Sequence, residues 1–219
     1  MLKVIDDMGM RYWDSFYKKH GYVVTEPDIN ISKVVELFRS RGVRRVLDLG
    51  CGSGRHLVYL AEQGFDTFGI DIADKAIELA TNWLENKGLT VNLSIGSIFE
   101  KLPYGDKFFD AIISVRVMNH GTIGDIHSAI GEMRRVLRPE GLIFIEVHKE
   151  RKARLSKKQS LRSIIISPRT LVPIQGVEKG IIHYQFNKVI FLREFKDFRI
   201  LDFWVDSSNY YCLLGEMRA

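Results

Sequence analysis

The chain has 219 residues, of which 46% are hydrophobic and 27% are charged, and its formal net charge is +5. This composition excludes a disordered or fibrous chain, and the length predicts a single domain over residues 1–219 with one sizeable core. The apolar runs are shorter than the roughly 18 to 20 residues of a membrane span and the first residues lack a signal pattern, so we expect a soluble, cytoplasmic protein that is a monomer or a homodimer.

Two helices are predicted at the start of the chain. The first, over residues 8–19, has an aromatic face. Its aromatic residues are Tyr12, Trp13, Phe16 and Tyr17. The second helix, over residues 29–41, is amphipathic and ends at Gly42. The aromatic face of the first helix has two interpretations of equal weight: it packs the helix onto the core, or it covers a ligand.

A strand, a glycine-rich turn and a helix follow over residues 44–63. The turn is Gly50-Cys51-Gly52-Ser53-Gly54. Its three glycines lack the Cβ that would keep a ligand away from the backbone, so a cofactor can lie directly against the main chain. Asp48 and the helix amides that follow Gly54 can face a charged ligand.

An acidic residue completes this unit. Asp71 ends the next predicted strand, 66–71, about 20 residues after the turn, where the ribose hydroxyls of a bound nucleoside would lie. The spacing of the glycines is G-x-G-x-G, and Arg55 and His56 stand where a dinucleotide fingerprint would have its later glycine. The sequence therefore predicts a nucleoside-containing cofactor and disfavours NAD. The alternative is a tight turn of an α/β domain that binds no cofactor.

The run from Val46 to Gly54, V-L-D-L-G-C-G-S-G, resembles the first motif of class I S-adenosylmethionine (SAM) dependent methyltransferases. The run R-R-V-L-R-P-E-G-L-I-F-I, from residue 134, is also very similar to this family. The resemblance implies an α/β fold with a three-layer, doubly wound, seven-stranded and mostly parallel sheet whose last strand is antiparallel. It also implies SAM as the cofactor and methyl transfer as the reaction.

The elements after residue 71 agree with that fold. Helices are predicted at 73–87, 125–137 and 189–195, and strands at 91–95, 108–114, 142–147, 198–205 and 210–214. Alternating strands and helices with short joins indicate a parallel sheet covered on both faces. The last two strands are joined by a turn so short that they must be antiparallel. Residues 149–182 break the alternation and are predicted to be an irregular insertion.

The resemblance also implies which residues bind SAM. It places the adenine near Ser97 and Ile98, although the family usually has an acid where this chain has Ser97. It places the methionine end near Val115 and Arg116, whose alternative role is a surface ion pair. It makes residues 1–42 a helical lid that places Tyr12 and Trp13 over the cofactor. The remaining predicted cofactor-binding residues are Asp48, Gly50, Cys51, Gly52, Gly54, Asp71 and Ile72.

Three histidines are candidates for removing a proton from the methyl acceptor: His120, His148 and His183. His120 follows the fourth strand and His148 ends the fifth, at the edge where open α/β sheets bind ligands. His183 belongs to the segment 148–186, which in the family commonly shapes the acceptor pocket. Each has a structural alternative, such as a loop histidine whose hydrogen bonds are satisfied locally.

The two cysteines, Cys51 and Cys212, stand far apart, with no second cysteine or histidine at metal-ligand spacing. They predict neither a disulfide framework nor a zinc site, and no metal is expected. We expect Cys51 to be a small loop residue and Cys212 to lie in a strand.

The acceptor is not identified by the sequence. A small molecule is the leading hypothesis, because the chain has no recognisable RNA-binding appendage. A nucleic acid or another phosphate-rich acceptor is the rival, because residues 149–158 hold six basic residues against one acid. That run lacks aromatic residues, which favours a solvated surface. A SAM-binding regulatory protein without catalysis and a NAD oxidoreductase are weaker alternatives.

Overall fold

A computed structural model of the chain describes residues 2–149 and 163–218. The strands are β1 Arg45–Leu49, β2 Asp66–Asp71, β3 Asn92–Ile95, β4 Phe109–Val115, β5 Leu137–His148, β6 Ser163–Ser167, β7 Thr170–Pro173, β8 His183–Tyr184, β9 Phe198–Val205 and β10 Tyr210–Met217. The helices are α1 Leu2–His20, α2 Ile31–Ser40, α3 Arg55–Glu62, α4 Asp74–Asn86, α5 Ile123–Val136 and α6 Lys188–Glu194.

Seven of the strands form one twisted sheet in the order β3-β2-β1-β4-β5-β10-β9. Strands β1 to β5 are parallel to one another, whereas β10 is antiparallel to both β5 and β9. The predicted fold class is therefore confirmed, including the antiparallel strand formed by the last hairpin. The strand order reverses at β1, and the carboxyl ends of β1 and β4 consequently border a crevice in which ligands of such sheets bind.

The central strands are buried on both faces. In β4 the neighbours Ile112 and Ile113 point to opposite sides, and neither is exposed to solvent. Ile112 belongs to the core under α5 and α6, whereas Ile113 packs in the core that contains Phe38 of α2. The near-continuous apolar runs of the central strands follow from this double cover.

Helix α5 begins at Ile123, two residues before the predicted start, because Thr122 caps it. The Thr122 side chain accepts from the Asp125 amide at 3.3 Å, and Asp125 accepts from the Thr122 amide at 2.7 Å. This reciprocal pair is a capping box, which satisfies two otherwise unpaired amides at the helix start.

Replacing Thr122 with alanine should lower the free energy of unfolding by about 1 kcal/mol, because the Asp125 amide loses its acceptor. Urea denaturation measures this change. Ser128→Ala is the matched control: its hydroxyl bonds the Gly124 carbonyl within the same helix, so its removal should change stability by less than about 0.5 kcal/mol. Equal losses in both variants would contradict the capping role.

The segment predicted to be an irregular insertion contains a second sheet, and that prediction is corrected here. Strands β6, β7 and β8 pair antiparallel in that order, with Arg169 in a left-handed conformation at the β6–β7 turn. The β-branched residues of Ile164–Ile166 favour strand, and the prolines mark the ends of strands. Pro168 lies in the turn, and Pro173 ends β7.

Two further predictions can be compared with the structure. The fifth strand starts at Leu137, five residues before its predicted start. The basic run 149–158 lies outside the described residues except for Lys149, which forms a parallel bridge with Phe186. Within the described part of the chain, every helix is too short or too polar to traverse a lipid bilayer.

Candidate functional site

A cavity of about 420 Å³ opens at the carboxyl ends of the parallel strands. The glycine-rich turn after β1 forms one wall, and the loops after β2, β3 and β4 and the end of β5 at His148 form the others. Helix α1 and the loop before β8 cover it from outside through Trp13, Phe16 and Glu178. Its volume is within the range of small-molecule and cofactor sites.

The glycine-rich turn needs glycine for two different reasons. Gly52 has a φ of 54°, and a Cβ built there would lie 2.5 Å from the Tyr17 hydroxyl oxygen, so this position lets other groups approach the backbone closely. Gly54 has a φ of 94°, and its Cβ would lie 3.0 Å from the Cβ of Ala80. Gly54 therefore allows α3 and α4 to pack together and lies outside the cavity lining.

Asp71 is held at the end of β2 by backbone amides. Its Oδ2 accepts from the Gly52 amide at 2.8 Å, and its Oδ1 accepts from the Ala73 amide at 3.0 Å. Burial raises the pKa of this carboxyl to about 6, against the effect of these hydrogen bonds. Asp71 thus faces the cavity as an acceptor whose position is fixed by the turn it supports.

Asp48 lies behind the turn and is 1% exposed. Among the described residues, neither of its carboxylate oxygens has a hydrogen-bond partner. The Nδ1 atom of His56 lies 3.7 Å from Oδ2, while Nε2 of His56 accepts from the Asp28 amide at 3.2 Å. A buried carboxylate left in this way is a costly feature that an ammonium group or a bridging water would relieve.

These features fit SAM. The close approach at Gly52 suits a ligand lying against the backbone, and Asp71 offers a carboxylate to ribose hydroxyls. Asp48 offers unpaired negative charge near the same turn. Ile72, Ser97 and Ile98 line the wall next to Asp71, and the Ser97 hydroxyl accepts from the Phe99 amide at 3.2 Å.

Arg116, whose side chain is 34% exposed, pairs with two buried carboxylates, a setting that differs from a surface pair. Its guanidinium donates from Nε to Glu146 at 2.7 Å and from Nη2 to Asp28 at 2.8 Å. The guanidinium also stacks on the Tyr210 ring, with Cζ 4.2 Å from the ring centroid. Burial raises the pKa of Glu146 to about 7, and Arg116 opposes that rise. Arg116 also lines the cavity, as Val115 does.

The three candidate histidines all line the cavity at the end away from Asp48. The rings of His120 and His183 lie 4.9 Å apart, and Trp13 packs on His120 at 5.1 Å. Burial, with a smaller contribution from His183, lowers the pKa of His120 to about 3, and burial also lowers the pKa of His183. His148 is exposed and donates from Nδ1 to the Lys149 carbonyl at 2.8 Å.

The aromatic helix α1 covers the cavity. Trp13, Phe16 and Tyr17 line it, whereas Tyr12 lies outside the lining and donates its hydroxyl to the Val177 carbonyl. Asp14 accepts from the Lys75 amide at the start of α4 at 2.9 Å, which fixes the other side of the helix.

Thirteen of the sixteen predicted site residues thus share one cavity, and Tyr12, Asp48 and Gly54 lie outside its lining. The sequence prediction missed Glu178 and Tyr210, which line the same cavity. Tyr210 is directly opposite His148 in the β5–β10 register, so only the strand pairing could have revealed it. Glu178 lies between two glycines, in a sequence that gives no local signal.

The fold and the site resemble those of class I methyltransferases, and comparisons with known proteins agree. Residues 46–141 match a family model described as a methyltransferase domain. The ubiquinone biosynthesis O-methyltransferase of Rickettsia prowazekii (strain Madrid E) is 30% identical over 137 residues, which cover 63% of this chain and 51% of that protein. Over residues 46–141 the chain is thus similar to the class I SAM-dependent methyltransferases, whose methyl donor is SAM. It spans about half the length of the curated relatives it matches.

Solved structures show the same fold. A protein from Pyrococcus horikoshii OT3 superposes with a TM-score of 0.74 at 21% identity, over 93% of this chain and 99% of that one. The 1,6-didemethyltoxoflavin-N1-methyltransferase of Burkholderia thailandensis superposes with a TM-score of 0.69 at 16% identity, over 99% of this chain and 88% of that one.

Proposed function

We propose that this chain transfers a methyl group from SAM to a small-molecule acceptor bound at the histidine end of the cavity. One observation carries the proposal: a single covered cavity joins the Asp71 end, which suits a nucleoside, to the end formed by Trp13, His120 and His183. Two molecules bound end to end there would bring a methyl donor against an acceptor.

The acceptor end is partly covered by α1 and by the loop before β8. Helix α1 lies across it and is tied by Tyr12 to the loop before β8 and by Asp14 to α4. Such a cover shields this end from part of the solvent, and a volume of about 420 Å³ for the whole cavity suits a small molecule. The names of two similar proteins refer to small molecules, ubiquinone and 1,6-didemethyltoxoflavin. These names support a small acceptor here. The cytoplasmic location stays a prediction.

For this reaction the chain mainly has to align the acceptor atom with the methyl group. The sulfonium of SAM supplies an activated methyl group, and the acceptor atom must lie in line with the bond that breaks. Gly52 and Asp71 would hold the nucleoside, and Arg116 and Trp13 line the same cavity, where they would help to orient the methionine end and the acceptor. His120, His148 and His183 stay candidates for taking the acceptor proton. A pKa of about 3 makes His120 a weak base, which favours His148 for that step.

Incubation with SAM labelled in its methyl group tests the proposal. Small phenols, amines and carboxylates should be screened as acceptors, with bulk tRNA and rRNA as the comparison. Label in a small-molecule product supports the proposal. Label in RNA, with binding that weakens steeply as salt rises, would instead establish the nucleic-acid rival.

The affinity for SAM should depend on pH through Asp71. The carboxyl has a pKa of about 6 in the free protein, and its ionised form is the better acceptor for ribose hydroxyls. As the pH falls below about 6, the ionised fraction drops, so the association constant should fall by up to about tenfold per pH unit. Above about pH 7 it should level off.

Titrations of SAM between pH 5 and pH 7.5, an interval set about the Asp71 pKa of about 6, measure this dependence. Asp71→Asn is the matched control, because the amide cannot ionise and its weaker binding should not change over the same interval. An equal pH dependence in both proteins would assign the effect to another group.

A further inference from the structure

Three side chains that can bind a metal converge at the acceptor end of the cavity. They are His120 in the β4–α5 loop, Glu178 in the β7–β8 loop and His183 in β8. One ligand atom from each lies within 4.8 Å of the other two. The three segments meet because β8 continues the small sheet across the mouth of the cavity, where the Tyr184 amide donates to the Asn119 carbonyl at 2.8 Å.

Two ring nitrogens in this cluster lack hydrogen-bond partners among the described residues. Among the described residues, His120 Nδ1 and His183 Nε2 are buried without a hydrogen bond. His183 Nε2 lies 3.4 Å from Glu178 Oε2 without forming one. Two buried ring nitrogens without partners, one of which lies beside the Glu178 carboxylate, need an explanation, because each such atom costs about 1–3 kcal/mol.

We propose that His120, His183 and Glu178 bind one Zn²⁺ ion, whose open coordination position faces the acceptor. Two imidazoles and one carboxylate are a donor set of catalytic zinc sites, which keep a further position for water or substrate. Mg²⁺ prefers oxygen ligands in octahedral geometry, so this set disfavours it.

The site has a role in the proposed reaction, and this part of the inference rests on the proposed function. An acceptor hydroxyl coordinated at the open position would have a lowered pKa and would lose its proton to His148, the base favoured for that step. Its oxygen would then form a bond to the methyl carbon as the carbon–sulfur bond of SAM breaks, leaving S-adenosylhomocysteine. The ring nitrogens of His120 and His183 that make no hydrogen bond would then bind Zn²⁺ and would not act as bases toward the acceptor.

Zinc binding by tag-free, chelator-treated protein tests the site without any assay of activity. Calorimetric titration should give one Zn²⁺ per chain and no comparable binding of Mg²⁺. Co²⁺ should give the visible absorption of a low-symmetry, nitrogen-ligated site. His183→Ala and Glu178→Gln should each weaken Zn²⁺ binding by at least about tenfold. Glu178 is 46% exposed in its side chain, so the Gln variant tests the site without disturbing the core.

His127→Ala is the matched control, because His127 is an exposed histidine on α5 that pairs with Glu194 at 2.7 Å. It should bind Zn²⁺ as the unchanged protein does. The proposal would be overturned if the unchanged protein did not bind Zn²⁺ stoichiometrically. It would also be overturned if Glu178→Gln and His183→Ala bound Zn²⁺ with the affinity of the unchanged protein. SAM titration of the same samples separates the two proposals, because a protein that binds SAM but no zinc contradicts only the metal site.

Discussion

Replacing Asp71 with alanine is expected to weaken SAM binding by about 100-fold or more. The carboxylate faces the cavity from a position fixed by the Gly52 and Ala73 amides, so it can accept two ribose hydroxyls without rearrangement. Hydrogen bonds to a charged group contribute about 1.5–3 kcal/mol each, and the loss of two corresponds to roughly two to four powers of ten in affinity. Calorimetric titration with SAM measures the change.

Two controls make this result specific. Asp71→Asn keeps the shape and one good acceptor, so its affinity should lie between those of the unchanged protein and the alanine variant. Asp74→Ala removes a nearby carboxylate from the first turn of α4 and should leave SAM affinity unchanged. The assignment of the ribose to Asp71 would be contradicted if Asp74→Ala lost its affinity for SAM, or if Asp71→Ala kept the affinity of the unchanged protein.

Replacing Arg116 with methionine is expected to lower the free energy of unfolding by about 3 kcal/mol at pH 8. The change removes the cation between Glu146, whose side chain is not exposed, and Asp28, whose side chain is 2% exposed. Two buried carboxylates are then left without their partner, which costs more than the loss of a surface pair. Urea denaturation without ligand measures this effect.

The loss should be smaller at pH 6 than at pH 8. Glu146 already has a pKa of about 7, above its ordinary value of 4.5, so the folded state binds more protons than the unfolded state in this interval. Stability therefore falls as the pH rises, and it falls more steeply once Arg116 no longer favours the ionised form. A loss that does not change with pH would contradict this account.

Lys87→Met is the matched control for the loss of a cation. Lys87 pairs with Glu62 at 2.6 Å, and both side chains are about 40% exposed. Exposed pairs contribute little, so this variant should lose less than about 1 kcal/mol. Comparable losses in the two variants would show that the burial of Asp28 and Glu146 is unimportant.

Much of the fold was predictable because its signals are local. The glycine-rich turn, the acid at the end of β2 and the alternation of strands and helices each lie within short windows of the sequence. They identified the sheet, the antiparallel last hairpin and the loops that meet at the cavity. The resemblance to the methyltransferases added the predicted places of Ser97, Ile98 and Val115, which line the cavity as expected.

The remaining features depend on contacts between distant segments. Arg116 meets Asp28 and Glu146 only when the β4 loop, the segment before α2 and β5 are assembled. Glu178 and His183 reach His120 only when the small sheet is in place. A search for metal ligands by spacing in the sequence misses such a set, because 57 residues or more separate His120 from the other two. The small sheet is hard to predict from the sequence because Pro168 and Pro173 interrupt its apolar residues.

Calorimetric titration of the unchanged protein with SAM and with S-adenosylhomocysteine tests the central claim most directly. The cavity at Gly52 and Asp71 predicts saturable binding of both, one molecule per chain, with S-adenosylhomocysteine displacing SAM. Absence of binding by either, in folded protein, would contradict the claim. The glycine-rich turn would then serve another nucleotide or only the packing of α3 against α4.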